Sequence, residues 1–168
     1  EQRGWSIHAV LETHVHADHL SRARRLAEET GAKLLIPAQR RVQFGFSPLA
    51  DGDRIEIGSL HLKALHTPGH TLESTCYLLN DWCLLTGDTL FLSAIGRPDL
   101  HTSEQEARHR ARLLFQSLGR LRSLPSHLLV LPGHTNKPVP FDGILVAARL
   151  DDVFAHLNDW FRSEEAFV

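Results

Sequence analysis

Short apolar runs recur along the chain, and three stretches carry a helical period. Residues 9–11, 33–36, 54–57, 60–65, 74–79, 82–86 and 127–131 read as strands. Gly58-Ser59 turns 54–57 into 60–65, and Asn80-Asp81 reads as a two-residue hairpin turn that sets Leu78 opposite Cys83. Residues 21–30 predict a helix with Ser21 as N-cap, Ala23, Leu26 and Ala27 on its apolar face and Gly31 as its stop. Residues 103–121 predict a longer helix, opened by a Ser103/Glu106 capping box, with Ala107, Ala111, Leu114, Leu118 and Leu121 facing inward. A last amphipathic helix is expected over 145–161, burying Leu150, Val153, Phe154, Leu157 and Phe161. Residues 40–49 have no settled period. Phe44 and Phe46 alternate and are expected in the core, while Arg40 and Arg41 are expected to be solvated. Strand pairs alternating with covering helices predict an α/β sandwich, sheets between helices.

The chemistry lies where four of the strand-like runs end. After 9–11 comes Thr13-His14-Val15-His16-Ala17-Asp18-His19, with three histidines and an aspartate in six residues. After 60–65 comes Thr67-Pro68-Gly69-His70, after 82–85 comes Thr86-Gly87-Asp88, and after 128–131 comes Pro132-Gly133-His134. Loops following strands let a rigid sheet aim several side chains at one point. Imidazole and carboxylate donors together suit Zn, Fe or Mn. The HxHxDH spacing is far more restrictive than a lone histidine pair. His61 and His66 flank a strand and read as surface or edge residues.

Composition narrows the class. A length of 168 residues predicts one domain spanning 1–168 with enough apolar content for a core. The net charge of -2 gives no electrostatic footprint for nucleic acid or an anionic membrane. No apolar run approaches the ~20 residues of a spanning helix. Cys76 and Cys83 would lie diagonally across the hairpin, a poor geometry for a disulfide. They read as reduced core thiols, which predicts a cytoplasmic location.

The order and spacing of His14, His16, Asp18, His19, His70, Asp88 and His134 identify the chain as a member of the metallo-β-lactamase superfamily. The resemblance implies an αββα sandwich. Members usually have several strands before HxHxDH, so this chain is expected to be truncated at its N-terminal strands and shortened at both ends, with one sheet incomplete.

Two metal arrangements follow from these residues. In the first, His14, His16 and His70 form one site, and Asp18, His19 and His134 a second bridged by Asp88. Two Zn(II) ions there would activate water and polarise a carbonyl. In the second, His14, His70 and Asp88 alone make the two-His, one-carboxylate face of non-haem Fe(II) oxygenases, and the other residues support them. Asp18 and Asp88 are expected to be the catalytic carboxylates.

The stretch Gly87-Asp88-Thr89-Leu90-Phe91, followed by Gly96-Arg97-Pro98-Asp99-Leu100, resembles the persulfide dioxygenase branch, whose members resemble glyoxalase II in fold and include rhodanese-fused relatives. That resemblance implies oxidation of glutathione persulfide, or a similar thiol persulfide, by O2 to sulfite at one Fe(II). The alternative is a glyoxalase II-like two-Zn hydrolase of an acylglutathione thioester. Arg97 would face the substrate or, with Asp99, brace the loop; the two could equally form a local ion pair closing a turn. Glutathione-using relatives have a tyrosine after the last histidine. Here Thr135-Asn136-Lys137 follows, and the only tyrosine, Tyr77, lies mid-strand. Lys137 is then a candidate for attracting a substrate carboxylate. A homodimer and a rhodanese partner are both compatible with this reading.

Overall fold

The computed structural model describes residues 4–16, 18–100, 102–135, 138–140 and 142–168. Strand β1 (Ala9–Leu11), helix α1 (Ala23–Thr30), β2 (Lys33–Pro37) and β3 (Ser47–Leu49) come first. They build a parallel sheet in the order β1-β2-β3. Next come β4 (Arg54–Ile57), β5 (Leu60–His66), β6 (Thr75–Leu79) and β7 (Cys83–Gly87), then helix α2 (Glu104–Arg122), β8 (Leu129–Pro132) and β9 (Ala148–Arg149). These strands form one sheet in sequence order, antiparallel except for the β7–β8 pair. Helix α3 (Leu150–Leu157), a 3-10 turn (Asn158–Phe161) and the short α4 (Glu164–Phe167) follow.

Alternation along the strands sorts the side chains into layers, because successive residues point to opposite faces. Leu35, Leu49, Leu62, Ala64 and Tyr77 meet between the two sheets. Leu34 and Ile36, on the other face of β2, pack with Ala27 of α1. Leu65, Cys76, Leu84 and Val130 point away from the inter-sheet layer and meet Leu114, Leu118, Leu121, Val153 and Phe154 of α2 and α3. The layers therefore run helix, sheet, sheet, helix, the αββα arrangement expected. Each leucine fully buried under α2 stabilises the layer by about 1.5–3 kcal/mol relative to exposure.

Several local expectations are corrected. The β6–β7 register pairs Leu79 with Cys83 and Leu78 with Leu84. Asn80 adopts a positive φ of 46° and Trp82 joins the turn, so the loop holds one residue more than the two-residue turn assumed. Residues 145–147 are not helical, and Ala148–Arg149 forms β9 against β8. The sheet edge captures this segment, and the helix starts only at Leu150. Helix α1 starts at Ala23 with Arg22 at the cap position. The Ser21 hydroxyl accepts from the Ala23 N–H and donates to Glu12. Leu26 is exposed, because this short helix turns little more than Ala27 and Ala23 toward the sheet. The longer helix keeps its capping serine, with Ser103 Oγ accepting from the Glu106 N–H at 3.3 Å. Both cysteines are free and buried.

Strand directions explain where the chemistry gathers. β6 runs opposite to β5 and β7, and β8 runs parallel to β7. The C-terminal ends of β5, β7 and β8 therefore open on one edge of the large sheet. The β1 loop is tied to that edge by the Thr75 N–H donating to the Thr13 carbonyl at 2.9 Å and by the Tyr77 hydroxyl donating to the Glu12 carbonyl at 2.6 Å.

Candidate metal centre

His14 follows β1, His70 follows β5, Asp88 follows β7 and His134 follows β8. A ligand-type atom from each of His14, His70 and Asp88 lies within 4.8 Å of the other two, and the same holds for His16, Asp18 and His19. The first group is buried, with His14 2% exposed and Asp88 8%. In the second, Asp18 and His19 are about half exposed.

Hydrogen bonds orient the rings of the buried group. His70 Nδ1 donates to the Arg97 carbonyl at 3.0 Å, so its Nε2 is left as the free lone pair, 3.6 Å from Asp88 Oδ2. His14 Nδ1 bonds the Thr13 hydroxyl at 2.9 Å, and its Nε2 lies 4.0 Å from the same Asp88 oxygen. The other Asp88 oxygen, Oδ1, accepts from His134 Nδ1 at 2.8 Å, and His134 Nε2 lies 3.1 Å from Asp18 Oδ2. Asp88 thus offers one oxygen to His14 and His70 and the other to His134. Gly87 makes this approach possible: its φ is +48°, and a Cβ there would lie 2.6 Å from the Thr13 hydroxyl.

The donor set fits a divalent metal. His14 Nε2 and His16 Nδ1 are buried with no hydrogen-bond partner among the described residues, a costly state that a metal ion relieves. Burial, with the neighbouring His16 next, lowers the His14 pKa to about 4, so the ring is neutral and ready to donate its lone pair.

His16 stands between the two groups: its ring centroid lies 4.3 Å from that of His14 and 4.2 Å from that of His19, and its Nε2 bonds Glu12 Oε2 at 2.8 Å. That bond raises the His16 pKa. Burial acts to raise the Glu12 carboxyl, but the bonds from His16 and Ser21 outweigh it and hold it below the usual carboxylate range.

Sequence reasoning missed Glu12 and Glu73. Glu73 is buried, and its Oε1 accepts both the Val15 N–H at 3.0 Å and Arg41 Nη1 at 2.9 Å. Arg41 is therefore not merely solvated; it neutralises the carboxylate that pins the loop carrying His14 and His16. Position alone hinted at Glu12, two residues before His14; Glu73 had no local signal. Arg97 and Asp99 form an exposed bidentate pair at 3.0 and 2.9 Å, and the link of Arg97 to the centre runs through its main-chain carbonyl. Lys137 lies outside the described residues. His61 is half-buried and His66 exposed, both on β5 away from these groups.

The chain matches the family model of the metallo-β-lactamase superfamily over residues 1–134. It belongs to that superfamily. Hydroxyacylglutathione hydrolase of Methylobacillus flagellatus is 35% identical over 136 residues, covering 80% of this chain and 51% of that protein. The crystal structure of ETHE1 from Myxococcus xanthus superposes with a TM-score of 0.81 at 31% identity, covering 99% of this chain and 69% of that one. A metallo-β-lactamase from Staphylococcus aureus superposes with a TM-score of 0.83 at 29% identity, covering 99% and 53%. The chain spans about half the length of the curated hydrolases it matches. Among the described residues no helix is long and apolar enough to cross a membrane.

Proposed function

We propose that this metallo-β-lactamase chain hydrolyses the thioester of a small thiol carrier, an acylglutathione or close analogue, at a two-Zn(II) centre. The observation that carries the reading is the Asp88 carboxylate, one oxygen toward His14 and His70 and the other toward His134. A carboxylate shared between two donor groups suits a bridged pair of ions. The named hydrolases at 35% identity support the same choice of reaction.

In this reading His14, His16 and His70 would hold one ion and Asp18, His19 and His134 the other, with Asp88 serving both. When bound, such ions activate water and polarise the thioester carbonyl. The chain's own residues set the geometry: the Arg97 carbonyl fixes the His70 tautomer, Thr13 fixes His14, and Asp18 orients His134. Asp18 keeps its carboxylate engaged with His19 through Oδ1 and His134 through Oδ2, and the proton given up by the attacking water leaves on the departing thiolate. One water is consumed, the acyl C–O bond forms, and the C–S bond breaks. The two buried thiols fit a reducing compartment.

A second reading is favoured by a separate observation. His14, His70 and Asp88 are the buried group, whereas Asp18 and His19 are half exposed and bonded to each other at 3.1 Å. Together with the resemblance of residues 96–100, this suits a single Fe(II) in a persulfide dioxygenase, in which one thiol persulfide, O2 and water give the thiol and sulfite. The deciding experiment loads the chain with Zn(II) or Fe(II). Thiol release from an acylglutathione by the Zn form without O2 is the expected result. No thiol release, with O2 uptake and sulfite formation by the Fe(II) form given glutathione persulfide, overturns it in favour of the second reading.

A further inference from the structure

We infer that the cleft beside His70 is a carboxylate-binding subsite in which Arg110, with Arg41, holds a negatively charged end of the thiol carrier. The identity of the carrier rests on the proposed function; the charge selectivity rests on the cleft itself. Its volume is about 240 Å³, and its walls include Arg41, His70, Leu72, Glu73, Leu100 and Arg110. His70 belongs both to this wall and to the buried donor group, so an occupant of the cleft reaches the edge of the reaction site.

The two guanidinium groups come from distant parts of the chain. Arg41 lies in the loop before β3 and Arg110 on α2. Each has a carboxylate partner that engages a terminal nitrogen: Glu73 for Arg41 Nη1 and Glu106 for Arg110 Nη2. A guanidinium carries five N–H donors in a fixed fork, so one partner leaves donors over. Arg110 shows this directly. Its side chain is 17% exposed, and its Nε is buried without a hydrogen-bond partner among the described residues. The exposed part of the guanidinium still has donors that a planar carboxylate in the cleft can meet with charge-assisted bonds. Glu73 offsets the charge of Arg41 through Oε1, so Arg41 contributes its remaining donors and Arg110 is the main anchor. Leu72 and Leu100 give the cleft an apolar side against which the methylenes of a peptide-like carrier can lie. The cleft thus selects a thiol whose carrier ends in a carboxylate.

The test is calorimetric titration of the Zn-loaded chain with S-methylglutathione, a thioether that cannot be hydrolysed, and with its carboxyl-esterified form. Arg110→Met is expected to weaken binding of the free acid by about tenfold or more and leave binding of the ester unchanged. Arg110→Lys, which keeps the charge without the fork, is expected to fall between. In turnover of the acyl thioester, the Met variant raises KM while kcat holds. The subsite is overturned if the wild type fails to prefer the acid over the ester. It is equally overturned if Arg110→Met binds the acid as tightly as the wild type, or loses both ligands alike. The titration needs no reaction, so charge-selective binding without thioester hydrolysis would count against the proposed reaction alone.

Discussion

Arg41 donates to Glu73 Oε1 across 2.9 Å, and that same oxygen accepts the backbone N–H of Val15, the residue between His14 and His16. Three segments far apart in the chain are joined at one buried atom. Removing the carboxylate leaves the Val15 N–H unpaired and Arg41 without its partner. Glu73→Ala is expected to destabilise the fold by about 1–3 kcal/mol and to weaken Zn(II) binding by roughly 10–100-fold. Glu73→Gln, which keeps an acceptor for Val15, is expected to retain most of the affinity. Urea midpoints and competition with a chromophoric chelator measure both; unchanged affinity in the Ala variant would mean that the loop is held by other contacts.

His70 and His134 separate the two metal arrangements. His70→Ala removes a member of the buried group and is expected to abolish activity under either. His134→Ala removes the group that joins Asp88 to Asp18. The two-metal proposal expects this variant to keep one Zn per chain of two and to lose nearly all hydrolysis. Metal analysis after gel filtration, beside the thiol-release rate, reads the outcome. Retention of full hydrolysis by His134→Ala would remove the second ion from the mechanism.

Gly96 is the steric keystone of the loop after β7. A Cβ there would lie 1.8 Å from the Asp88 carbonyl oxygen and 3.0 Å from His70 Cβ. Neither contact can be relieved by rotating a flexible side chain. Gly96→Ala is expected to push apart the two strand ends that present Asp88 and His70, destabilising the fold by about 1–3 kcal/mol through overpacking. Metal affinity should fall further than the thermal midpoint alone would suggest. Comparing the two in this variant and in Gly119→Ala, on α2 where a Cβ meets open space, isolates the effect.

The two thiols are expected to be silent in the native state. Burial pushes Cys76 up to about 11 and also raises Cys83. A thiol-specific reagent attacks thiolate, so at pH 8 little reactive form exists, and access is closed as well. Neither thiol should react until the chain unfolds, whereupon both should. A folded-state reaction at either one would show local opening of the β6–β7 hairpin.

Much of the centre was legible from the chain alone, because ligand chemistry is local. HxHxDH packs four donors into six residues, and His70, Asp88 and His134 each stand beside a glycine at the end of an apolar run. Strand alternation likewise announced the layers, since Leu34 and Leu35, or Cys76 and Tyr77, must face opposite ways. What the sequence could not decide depends on contacts between distant segments. The β6–β7 register turned on one extra turn residue, and residues 145–149 lost their helical start to a sheet edge. That Glu12 engages the His16 ring, and Glu73 the Val15 N–H, also appears only in the fold. Arg41 reads as a solvated charge in sequence, and nothing there singles out Arg110. Only the packing of α2 and the β3 approach around His70 brings them to one cleft, since the energy of a charge depends on its surroundings, which the fold alone supplies.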